Sequence, residues 1–163
     1  MTALQSQASA STCEPSSVIE LRFLGEPAPQ GSKVQTRWGT MREASKKIEP
    51  WRASVQYACR AQYKGDPIKG PVSLDVTFYL PRAKNHWSSA KGKQGQLLPS
   101  APVHHTKTPD ADKLLRGILD PMTVRCGGNV LIDDSQIVEV LCRKQYAEAD
   151  QCSGALVRLR VMP

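Results

Sequence analysis

No apolar run in this chain is long enough to cross a bilayer, which excludes a protein threaded through the membrane by helices. The start lacks the basic residues and apolar stretch of a secretory signal. Residues 1–16 form instead a Ser/Thr/Gln/Ala-rich tail, too small and polar to pack, and are expected to be disordered. The five cysteines, Cys13, Cys59, Cys126, Cys142 and Cys152, include no C-x-x-C pair. An odd number at that spacing fits neither a disulfide framework nor a zinc knuckle, so a reduced, cytoplasmic protein is expected. There is no obvious nucleotide-binding loop.

Charge of one sign is plentiful. The formal net charge is +7 at pH 7. A basic surface attracts polyanions, of which nucleic acid is the usual one. Lys33, Arg37, Arg42, Lys46 and Lys47 crowd the segment after residue 31. Arg82, Lys84, Lys91, Lys93 and Lys107 occupy residues 81–107, which contain no acid. The acids concentrate between Asp110 and Asp150. Basic flanks around an acidic centre suit an enzyme that holds phosphates and binds a metal between them.

The 163 residues suffice for one domain, expected over residues 17–163. Period-two alternation predicts strands at Val18–Leu24 and Val72–Leu80. Gly25 to Gly31 breaks the first, and a basic loop carrying Trp38 follows. Helical spacing predicts a helix from Pro50 to about Tyr63, stopped by Gly65 and Pro67, and a second from Thr108 to about Leu119, stopped by Pro121. Between them lies a long aperiodic loop, about 81–107, whose Trp87 either stacks on a base or anchors the loop to the body. Further strands are expected at Val130–Ile132, Ile137–Lys144 and Leu156–Val161. The fold class is α+β: one small domain, a mixed sheet of about four to five strands packed with two helices.

Asp110 and Asp112 sit at the start of the second helix, and Asp133 and Asp134 between two strands. Each pair has an ordinary explanation: acids favour helix starts, and aspartate is common in turns. Together, four carboxylates repel unless a cation joins them, and hard oxygen donors in small number suit Mg²⁺, with Mn²⁺ as a substitute. Such an ion lowers the pKa of bound water and stabilises charge on a phosphodiester. Lys113 and Arg116 share the helix and could face the phosphate; an Asp112–Arg116 ion pair is the structural alternative.

The run Pro109-Asp110-Ala111-Asp112-Lys113-Leu114-Leu115-Arg116, followed by Ile132-Asp133-Asp134-Ser135-Gln136-Ile137-Val138, resembles the RusA family of Holliday junction resolvases, whose motifs are P-D-x-D-N-L-x-K and D-D-[SA]-Q-[IV]-V. The resemblance spans roughly Val18 to Tyr146 and implies a RusA-like fold and a homodimeric, Mg²⁺-dependent endonuclease. Such an enzyme makes paired nicks in four-way DNA junctions during recombination and repair, leaving 5′-phosphates. The catalytic carboxylates would be Asp110, Asp112 and Asp134, with Asp133 beside them as a ligand or support. Lys113 stands where the family has Asn, and Arg116 where it has Lys. Arginine effectively cannot give up a proton, so Arg116 could only orient or neutralise, and Lys113 is the candidate to compensate. The basic residues named above would hold DNA backbones. A bacterial cytoplasm, with a phage or prophage origin, follows from the same resemblance. The alternatives are a non-cleaving branched-DNA-binding module that kept the fold and, more remotely, another D-x-D metal enzyme such as a nucleotide-sugar transferase.

Overall fold

A computed structural model describes residues 18–31, 33–35, 37–43 and 46–163. The expected tail at 1–16 lies outside them, as do the side chains of Lys33 and Arg42. The elements are β1 (Val18–Leu24), β2 (Lys33–Gln35), β3 (Met41–Glu43), α1 (Ile48–Gln62), β4 (Val72–Leu80), α2 (Ala111–Met122), β5 (Ile137–Tyr146) and β6 (Gly154–Val161). Among the described residues no helix is long and apolar enough to cross a membrane.

The main sheet runs β1-β6-β4-β5. β6 pairs antiparallel with β1 and β4, while β4 pairs parallel with β5. Parallel neighbours require a crossover, and α2 lies on the connection. The alternation in β4 buries Val72, Leu74, Val76, Phe78 and Leu80 on one face. That face meets Val55 and Cys59 of α1 and Leu114, Ile118 and Met122 of α2 in one core. Phe23 and Trp51 meet edge to face, centroids 6.5 Å apart, and seat α1 on β1. Each fully buried aliphatic side chain contributes about 1.5–3 kcal/mol. The opposite face carries ion pairs, Glu20 with Arg22 and Arg158, and Asp75 with Arg143.

Several elements differ from sequence expectation. α2 begins at Ala111 with Asp110 as its N-cap, and it continues through Pro121 to Met122. Val130–Ile132 is no strand; Leu131 instead bridges singly to Ile68 and Thr123. Its neighbours commit their backbone to closing the turn after α2, where Val130 N donates to Met122 O. Part of the basic segment after Gly31 forms the β2–β3 hairpin. The loop at 81–107 folds back on the body: His86 and His105 pack on the Tyr146 ring, and the Arg82 guanidinium lies 4.4 Å from its centroid. Trp87 is half-buried and bridges to Leu97, which favours its anchoring role.

Candidate active site

Asp110 and Asp112 are presented by the start of α2, and both are exposed. Three contacts fix that start. From β5, Lys144 Nζ donates to the carbonyl oxygens of Lys107 (2.7 Å) and Pro109 (2.8 Å). Cys142 Sγ lies 3.9 Å from Ala111 O. The loop after β1 reaches the same turn, where Gln30 N donates to Lys113 O at 2.9 Å. That loop is held further along α2 by Asp120, whose Oδ2 accepts from Gln30 Nε2 (2.7 Å) and Arg52 (3.1 Å).

The contact is close because position 117 is glycine. A Cβ there would sit 2.6 Å from Ala28 O. Gly128 has a similar reason, since a Cβ there would collide with Pro121 O. Residues 123–129 thus form a compact turn that follows α2, tied by Arg60 to Gly127 O at 3.2 Å.

The second acidic pair immediately precedes β5. Asp133 is exposed and caps the short 3-10 turn Asp134–Gln136, its Oδ1 accepting from Ser135 N at 3.0 Å. The Gln136 side chain closes the capping box and also donates to Ile68 O and Gly70 O. Hydrogen bonds from Ser135 hold the Asp133 carboxyl below the usual aspartate range. Asp133 is therefore occupied with the turn, while Asp134 beside it is half-buried.

The cations divide as well. Lys113 pairs with Asp110 at 3.1 Å. Arg116 is exposed and runs beside Gly31, where a Cβ would lie 3.1 Å from its guanidinium. Among the described residues it makes no ion pair with Asp112. Arg37, Lys46, Lys47, Lys84, Lys91, Lys93 and Lys107 are exposed. Lys47 is paired with Glu26, and the Arg37 guanidinium stacks on Trp38.

The two acidic pairs lie toward opposite ends of β5. α2 starts beside Cys142–Lys144, whereas Asp133–Asp134 stand at the strand's beginning, near the end of α2, where Leu131 N donates to Met122 O. Among the described residues no group of three or more His, Cys, Asp or Glu side chains is arranged to hold a metal. A single copy of the chain does not gather Asp110, Asp112 and Asp134 into one ligand set.

Sequence reasoning did not single out Lys144, Gln30 or Gly117, and gave Asp120 no role beyond its place in the family resemblance. Lys144 is one more cation in an alternating strand, and its partners are carbonyls that carry no sequence signal.

The family described as endodeoxyribonuclease RusA matches residues 25–157. The YqaN protein of Bacillus subtilis (strain 168) is 32% identical over 142 residues, covering 80% of this chain and 89% of that protein. The crossover junction endodeoxyribonuclease RusA of Aquifex aeolicus (strain VF5) is 22% identical over 142 residues, covering 87% and 90%.

Proposed function

The chain belongs to the RusA family of endodeoxyribonucleases, and from that premise we propose that it is a Mg²⁺-dependent resolvase of four-way DNA junctions that acts as a homodimer. The observation that carries this reading is the match of the RusA family over residues 25–157, which takes in both acidic motifs. The Asp110/Asp112 helix start is tied to the end half of β5, and the Asp134 turn leads into its beginning. Arg116 on the same helix and Lys107 just before it are exposed.

The reaction is phosphodiester hydrolysis. Water adds to phosphorus, the bond to the 3′ oxygen breaks, and the products are a 5′-phosphate and a 3′-hydroxyl. Arg116 supplies a fixed positive charge for the phosphate, since guanidinium does not give up its proton. Lys113, paired with Asp110 at 3.1 Å, is the cation able to transfer one. Lys91 and Lys93 lie in the acid-free loop and hold backbone phosphates without reading bases. Two strands are cut in one junction, which calls for two copies related by a two-fold axis.

The test is incubation of purified protein with a labelled four-way junction and a matched linear duplex, each with Mg²⁺ or chelator. Metal-dependent cutting confined to the junction is expected. Junction binding without cuts under any metal assigns the chain as a non-cleaving branched-DNA module. No preference for the junction removes both readings.

A further inference from the structure

The chain has three tryptophans, and the fold packs two of them. Trp51 is buried against Phe23, and Trp87 is half-buried. Trp38 differs. It is 80% exposed, although few side chains gain as much from burial as tryptophan. It sits between β2 and β3, beyond their last pair, Gln35 with Met41. Gly39 follows with a φ of +79°, a turn conformation that suits glycine, and a Cβ there would meet nothing within 4 Å. The indole thus stands at the tip of a hairpin and faces solvent.

The surroundings of the ring are cationic. Residues 31–47 hold five cations, Lys33, Arg37, Arg42, Lys46 and Lys47, and one acid, Glu43. The Arg37 guanidinium lies 5.0 Å from the Trp38 ring centroid. An exposed aromatic among cations fits one kind of partner closely: a nucleic acid offers a flat base to the ring and phosphates to the charges.

The hairpin is also held at its root, beside the acidic helix start. Gln30 N donates to Lys113 O at 2.9 Å, and a Cβ on Gly31 would lie 3.1 Å from the Arg116 guanidinium. On the return side Lys47 pairs with Glu26 at 2.7 Å. Trp38 is seven residues from Gly31, so at strand rise its backbone reaches at most roughly 23 Å from that root. That is about seven base steps of one DNA strand at most, so ring and acids address the same stretch of DNA.

We propose that Trp38 is a base-stacking residue. The hairpin lays its indole on a base that has lost a stacking neighbour where the strands of branched DNA part, and Arg37 meets the adjoining phosphate. In a linear duplex every interior base is stacked on both sides, so the ring adds preference for branched over linear DNA. The branched target rests on the junction reading above; the stacking rests on the hairpin alone.

The test is fluorescence anisotropy in chelator, with wild type, Trp38→Ala and Trp38→Phe. The labelled DNAs are a four-way junction, the same junction with abasic sites at the crossover, the matched linear duplex and a thymidine single strand. Trp38→Ala should bind the intact junction about tenfold more weakly, an ordinary share for one stacked base, and Trp38→Phe within about threefold of wild type. The gap between wild type and Trp38→Ala should close on the abasic junction and on the duplex, and open again on the single strand. All three proteins should melt at the same temperature, because the ring is exposed. A gap of equal size on the abasic junction overturns the proposal, since the ring then acts without a base. No gap on any DNA overturns it too and assigns the ring to a protein surface. The functional reading fails separately. A wild type that shows the gap yet makes no cut with Mg²⁺ keeps the stacking and loses the endonuclease. A wild type without junction preference loses the junction, and the single-strand gap alone then decides the stacking.

Discussion

At the scale of single residues, two neighbouring aspartates do different work. Asp133 spends its carboxylate on Ser135 N, and Asp134 does not cap that turn. Asparagine is as good an N-cap as aspartate. Asp133→Asn should therefore cut junctions within a few-fold of wild type, whereas Asp134→Asn should lose at least about a hundredfold if Asp134 acts in the reaction. A lowered Asp133 pKa adds stability that is present above the ordinary aspartate range and is lost as pH falls through the lowered value. Melting curves of Asp133→Asn should accordingly lose less stability than wild type on acidification below about pH 4. Lys144 is the complementary case. It touches no proposed reacting atom and positions the carbonyls that lead into α2. Lys144→Met should raise the Mg²⁺ concentration for half-maximal cutting about tenfold, a loss of about 1.4 kcal/mol. Junction binding in chelator should not change, and Lys144→Arg should recover part of the loss. An equal fall in melting temperature and binding would mark Lys144 as merely structural.

At the scale of elements, α2 carries both chemistry and core. Leu114, Ile118 and Met122 are fully buried while Asp110, Asp112 and Arg116 point to solvent. Leu114→Ala should cost about 2–5 kcal/mol in denaturant unfolding. Gly117→Ala is the sharper test. Alanine is the better helix former by about 1 kcal/mol. The added Cβ would meet Ala28 O at 2.6 Å and push the Gln30 loop off the helix. A net loss of about 1–3 kcal/mol is expected, as for overpacked sites. A gain in stability would show that the loop moves freely. The alternating strands and α2's apolar stripe were legible because burial on one face writes a period into the sequence. The β2–β3 hairpin was not, being only three residues a side. Nor was the end of α2: Pro121 reads as a stop, yet the helix tolerates it in its last turn. The acidic motifs were legible as motifs. Their separation along β5 was not, because it depends on α2 running back across the sheet.

At the scale of the whole molecule, the formal net charge is +7, and Lys84, Lys91, Lys93 and Lys107 are exposed on the acid-free segment 81–107. Binding should weaken linearly in log salt, each phosphate contact contributing about −0.9 to the slope. Lys91→Ala with Lys93→Ala should reduce that slope by about 1–2 while leaving junction preference intact. Direct evidence for the central claim lies in the cuts themselves. Four-way junctions labelled on one strand at a time, incubated with wild type and Asp112→Asn in Mg²⁺, report every nick position on a denaturing gel. Paired nicks are expected at symmetric positions in two strands of like polarity, with 5′-phosphate ends, absent in Asp112→Asn although that variant still binds. Nicks that persist in Asp112→Asn, or that fall equally on linear duplex, would contradict it.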